Sequence, residues 1–231
     1  MKSTEYRVQS TDQISLSGEA GLPTIVGITG GIGSGKSTIA RALAARGYAV
    51  YDCDKEAKRI IAENKDVQQQ IIELLGEEAF EEVPSTKGQR TKAYNTAYVA
   101  QCVFAEPQLL KKLNEIVHPA VREDIKKIRI KNNELKIIFI ESAILQEAGL
   151  DTLCDKIIVV EAPEEVRIKR TIARDYNGEA TEENINKVRA RIQAQKTSSS
   201  LHGGTERGFI LINDGRKSID ELAEEIITLL S

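Results

Sequence analysis

The chain has 231 residues, 41 % of them apolar, and a formal net charge of −3. That is enough apolar material for a packed core, which excludes global disorder, and too little positive charge for a dedicated nucleic-acid binder. Cys53, Cys102 and Cys154 are scattered and form no C-x-x-C pair, so they indicate reduced intracellular thiols and exclude a disulfide framework or a zinc site.

Residues 1–22 are polar and lack an apolar run of signal-peptide length, so a mobile polar tail is expected, with an added edge strand as the alternative. No stretch approaches the roughly 20 apolar residues of a membrane span, and a cytoplasmic protein with no membrane partner is expected. "TIVGI" (24–28) is a β-branched buried strand, and "STIARALAARG" predicts a helix with Ile39 and Leu43 on one face, ending at Gly47. "YAVYDCD" (48–54) is a second strand with Asp52 and Asp54 at its end. Residues 55–75 and 96–130 predict helices, separated by a polar stretch over 76–92, with His118-Pro119 marking a helix break. "LKIIFIES" (135–142), "DKIIVVEAP" (155–163) and "GFILIND" (208–214) are further strands, and "SIDELAEEIITLL" is a closing amphipathic helix.

Strands that are apolar on both faces and alternate with helices predict an α/β fold with a five-stranded parallel sheet flanked by helices. The core is expected from 23–54, 131–163 and 206–231. Segments 55–130 and 164–205, where no clear strand is visible, are expected as helical insertions that wall and cover a site at the strand ends.

Gly30-Gly31-Ile32-Gly33-Ser34-Gly35-Lys36-Ser37 matches G-x-x-x-x-G-K-[ST], with a strand before it and a helix after it. Glycines let successive N–H groups curl around phosphate oxygens, and the helix N-terminus adds its positive end. Gly33, Ser34, Gly35, Lys36, Ser37 and Thr38 are therefore the candidate nucleotide-binding residues, with Lys36 reaching the β- and γ-phosphates and the Ser37 hydroxyl reaching Mg²⁺. No N-K-x-D motif indicates a GTPase, and "SLSGEAG" precedes the first strand, where a transporter signature has no role. A small-molecule kinase using ATP and Mg²⁺ remains.

A carboxylate after the second strand can accept the proton of an attacking hydroxyl, and Asp52 and Asp54 are both candidates. A solvated turn or a helix N-cap before "KEAKRIIA" is the competing reading for this pair. Glu141 ends "KIIFIE" where an acid could hold Mg²⁺ through water, or make a structural ion pair. Arg167, Arg170 and Arg174 share one face of a helix that begins near Pro163, suited to clamping phosphate charge or to forming a solvated basic stripe with Glu164 and Glu165. If 164–205 folds over the phosphates, Arg170 and Arg174 lie far from the γ-phosphate in the apo protein and meet it only on closure. His118 is a candidate substrate contact or a structural residue, and Arg189 and Arg191 are lid residues or solvated. His202, in a Gly/Ser-rich stretch, carries no signal.

"IVGITGGIGSGKSTIARALAARGYAVYDCDKEAKRII", "VFAEPQLLKKLNEIVHPAVRE", "IIVVEAPEEVRIKRTIARD" and "RIQAQ", in that order, resemble the dephospho-CoA kinase family over about residues 24–215. The resemblance implies a P-loop core similar to nucleoside monophosphate kinases, a helical CoA-binding insertion and a lid. It implies ATP-dependent phosphorylation of the ribose 3′-hydroxyl of dephospho-CoA, the last step of CoA synthesis. By the same resemblance Asp54 matches the base, Lys36 the phosphate lysine, and Arg174, with Arg170 nearby, the lid arginine. The sequence departs from the family pattern at "ESAILQEAG", where Pro-Leu-Leu is common, at Thr96, where arginine is usual, and in a lid segment without Gly-Leu-Ser. Another acceptor, such as a nucleoside monophosphate, and a non-catalytic nucleotide-binding module are the alternative functions. A monomer or weak homo-oligomer is expected.

Overall fold

The computed structural model of the chain describes residues 21–84, 90–198 and 208–230. Nearly all of the polar tail, the last part of the expected lid segment and His202 lie outside the described residues. Strand β1 (Thr24–Thr29) leads through the glycine loop into α1 (Lys36–Ala45), and β2 (Ala49–Asp52) leads into α2 (Cys53–Glu63) and α3 (Lys65–Leu75). A hairpin of β3 (Phe80–Pro84) and β4 (Arg90–Tyr94) precedes α4 (Thr96–Ala105) and α5 (Pro107–Lys131). There follow β5 (Ile137–Glu141), β6 (Lys156–Glu161), α6 (Glu164–Asp175), α7 (Glu182–Ser198), β7 (Gly208–Ile212) and α8 (Ile219–Leu229).

Five strands form one parallel sheet in the order β2-β5-β1-β6-β7. The central strand β1 is buried along its whole length, as an apolar strand covered on both faces must be. Its residues alternate between two cores. Ile25 faces α2, α3, α4 and α5 with Tyr51 and Ile140, whereas Val26 and Ile28 face α1 and α8 with Phe139, Leu43 and Ile226. Helix α8 starts at a capping box between Ser218 and Glu221, and α1 stops at Gly47, whose φ of 88° suits a residue without a Cβ.

Four local expectations are corrected. Strand β2 ends at Asp52, whose side chain accepts from the Lys55 N–H and caps α2, so Asp54 lies in a helical first turn rather than on an extended strand. The stretch expected to be helical over 55–75 is two helices, because Asn64 accepts from the N–H groups of Asp66 and Val67 and starts a second one. Residues 80–94 form an antiparallel hairpin, anchored where Phe80 packs edge-on against Tyr94, at 5.6 Å between ring centroids.

His118-Pro119 does not break α5. The helix runs through it, because Leu113, Val117, Val121 and Ile125 bury one continuous stripe on both sides of the proline. Pro119 itself is on the exposed face, where water can satisfy the carbonyl that its missing N–H leaves free. The actual break lies at Glu106, extended before Pro107 as residues preceding proline tend to be.

Candidate active site

The parallel register sets Asp52 of β2 beside Glu141 of β5, and Glu141 beside Ile28 of β1, at the carboxyl ends of the strands where the glycine loop begins. Gly30, Gly33 and Gly35 have φ of 151°, 74° and 95°, conformations that L side chains rarely adopt. Space also excludes a side chain there. A Cβ at Gly30 would run into the Val160 carbonyl oxygen, and one at Gly33 into the Arg167 carbonyl oxygen. The glycines thus let β6 and α6 close against the outside of the loop.

From that side, α6 and β7 hold the loop by its carbonyls. Ser34 O accepts from Asn213 Nδ2 at 2.8 Å and from Arg170 Nη1 at 3.3 Å, while Ile32 O accepts from Arg167 Nε at 2.8 Å. The N–H groups of Gly33, Gly35, Lys36 and Ser37 have no acceptor among the described residues, and these four residues line a cavity of ≈ 930 Å³. Four free donors at a helix N-terminus make an anion cradle.

Glu141 lies on the inner wall of this cavity, only 6 % exposed. Its Oε1 accepts from the Ser37 hydroxyl at 3.2 Å and is 3.7 Å from Lys36 Nζ. Burial pushes its carboxyl above the usual carboxylate range, with Asp52 and Asp54 adding to the rise and Lys36 and Ser37 opposing it. A buried carboxylate and a hydroxyl side by side are hard oxygen donors that fit a Mg²⁺ ion held jointly with phosphates.

Asp52 lines the cavity but spends a carboxylate oxygen on capping α2. Asp54 is exposed and makes no hydrogen bond or ion pair among the described residues, yet it is near enough to raise the Glu141 pKa. Arg170 bonds Ser34 O together with the Asn213 carbonyl and side chain, so it braces the glycine loop. Arg174 also lines the cavity, its guanidinium paired with Asp175 at 2.6 Å.

Asp175 is shared with Arg191 of α7 at 2.8 Å, so it ties α6 to α7, as does the longer Arg189–Glu164 pair at 3.8 Å. The two guanidinium groups hold the Asp175 carboxyl down to about 2. A folded-state value below the ordinary one means that the pairing stabilises the fold above about pH 4 and is lost as pH falls through about 2. Asp175→Asn should therefore lower thermal stability slightly near neutrality, by less than about 1 kcal/mol because the arginines are largely exposed. In thermal unfolding the gap between parent and variant should close between about pH 4 and pH 2; a gap that widens on acidification would contradict this.

His118 lies in a second cavity of ≈ 680 Å³ with Lys111, Arg122, Ile144 and Glu147, between α5 and the loop after β5. Burial and the Arg122 cation push its imidazole below the ordinary histidine pKa, so it is a neutral hydrogen-bonding group near pH 7. Within "ESAILQEAG", Ile144 and Glu147 line this cavity while Leu145 and Ala148 are buried in the core. Thr96 opens α4 on an exposed face and lines neither cavity. Sequence reasoning missed Asn213, although its place just past the last strand was a signal, since ligand sites in such sheets lie at strand ends. It also missed the contact of Gln195, whose side-chain oxygen accepts from the Ile32 N–H at 2.6 Å.

This cradle, backed by a buried acid and lined by the Asp52 carboxylate and the Arg170 and Arg174 guanidinium groups, is the equipment of a P-loop kinase acting on a small acceptor. The chain belongs to the dephospho-CoA kinase family, whose sequence profile matches residues 24–216. It is 38 % identical to the dephospho-CoA kinase of Chlorobaculum tepidum, an alignment covering 90 % of this chain and 94 % of that one. It is 32 % identical to that of Bacteroides fragilis over 89 % of this chain and 92 % of the relative. Among solved structures, that of TT1252 from Thermus thermophilus superposes with a TM-score of 0.65 at 28 % identity, covering 89 % and 96 % of the two chains. No helix among the described residues is long and apolar enough to cross a membrane.

Proposed function

We propose that the protein transfers the γ-phosphoryl group of ATP to the ribose 3′-hydroxyl of dephospho-CoA, giving coenzyme A and ADP. The observation that carries this reading is the row of free N–H groups at Gly33, Gly35, Lys36 and Ser37, opening onto one cavity with Asp52, Glu141 and Arg174. ATP phosphates rest on those donors, and Lys36 follows the charge that builds on the transferring group. Ser37 and Glu141 would hold Mg²⁺, which when bound would neutralise phosphate charge. Asp54 takes the proton of the attacking hydroxyl, while Asp52 shapes the turn that presents it.

In this reading residues 55–130 bind the acceptor, with His118 and the second cavity contacting it, and 164–205 form the lid. Arg174 exchanges Asp175 for the transferring phosphate. Phosphate oxygens match its planar two-pronged donor, so Arg174→Lys should lower kcat even though the charge is kept. Unchanged turnover by that variant would leave α6 with a bracing role alone.

The deciding experiment measures ADP formation with dephospho-CoA, AMP, CMP and shikimate as acceptors. Dephospho-CoA should be strongly preferred. Faster turnover of a nucleoside monophosphate would replace the acceptor, and no turnover with any of them would indicate a nucleotide-binding module.

A further inference from the structure

Ile32 is gripped from three directions by the α6–α7 pair. Its N–H donates to the Gln195 side-chain oxygen of α7 at 2.6 Å, and its carbonyl accepts from Arg167 Nε of α6 at 2.8 Å. Its side chain packs against Ile168, Ile172, Val188 and Ile192, the small core that joins the two helices. One residue of the phosphate loop is thereby built into the segment that covers it.

The loop needs such support. Three of its glycines hold positive φ, and glycine loses more freedom on being fixed than any other residue. A loop left free would have to be ordered by the incoming triphosphate, at the expense of affinity. The bonds at Ile32 act just before Gly33, the first of the free cradle donors, and fix the peptide planes on both sides of Ile32.

We propose that Gln195 and Arg167 are positioning residues that preorganise the phosphate loop through Ile32. This inference rests on the reading of the loop as a triphosphate site.

The test uses Gln195→Met, which removes the acceptor at similar length, and Arg167→Met, which acts on the other side of the same residue. In the first variant the Ile32 amide should exchange its hydrogen faster. In both, the Kd for inorganic tripolyphosphate and the KM for ATP should rise about two- to tenfold, the worth of one hydrogen bond. Dephospho-CoA binding should not move, and kcat at saturating ATP should change less than KM, whereas general destabilisation would weaken both ligands together.

Tripolyphosphate binding as tight as the parent's in both folded variants would overturn the positioning role while leaving the kinase reading intact. A parent protein that does not bind tripolyphosphate would overturn both.

Discussion

Asp54→Asn is expected to bind ATP as the parent does and to lose about 10²–10⁴ in kcat, the usual contribution of a general base. The amide keeps the shape of the side chain but cannot take the hydroxyl proton. Asp54 is the better placed of the two aspartates because its carboxylate is uncommitted, whereas an Asp52 oxygen accepts from the Lys55 N–H at 3.0 Å. Asparagine caps helices about as well as aspartate, so Asp52→Asn should preserve the turn and most of the activity. Single-turnover rates for both variants, with ATP affinity measured separately, check the assignment. Because Asp52 and not Asp54 lines the cavity, a larger loss at Asp52 would transfer the base role to it.

Lys36→Ala should cost on the order of 10²–10³ in kcat, the scale for removing one preorganised charge contact to a transition state. A second effect comes from Glu141, 3.7 Å from the lysine and buried. Burial already raises its carboxyl pKa and Lys36 opposes that rise, so removing the lysine raises it further. A carboxylate that must be ionised to serve a cation then protonates at a higher pH. The acidic limb of the residual kcat/KM profile should accordingly move upward in the variant. Initial rates across pH read both effects, and parental turnover in Lys36→Ala would remove the loop from catalysis.

The sheet strands and the phosphate loop were legible because each is a short-range pattern. β-Branched runs gave β1, β5, β6 and β7, and G-x-x-x-x-G-K-S between a strand and a helix identified the cradle. The hairpin over 80–94 was hidden because neither face is uniformly apolar: Glu82 and Lys92 share a face with Phe80 and Tyr94, and Glu81 shares one with Val83, so no period-two pattern stands out. Pro119 looked like a helix end because proline usually breaks a helix; the buried stripe from Leu113 to Ile125 overrode that preference, and stripes are cashed in only against neighbouring helices.

The sequence by itself determined that a glycine loop stands between a buried parallel strand and a helix, at the carboxyl end of that strand. It could place Arg167, Arg170 and Arg174 on one face, because helical spacing is a property of the backbone. It could not separate their tasks. Only the tertiary structure brings Arg167 to Ile32 O, Arg170 to Ser34 O and Asn213, and Arg174 to Asp175. Where β2 stops and α2 starts likewise distinguishes Asp52 from Asp54, since Asp52 caps the helix with one oxygen committed and Asp54, two residues on, makes no such bond. Hydrogen-bond partners 135 to 179 residues apart in the chain, such as Ile32 with Arg167 and Ser34 with Asn213, leave no trace in local spacing, because packing alone sets which carbonyl a donor meets.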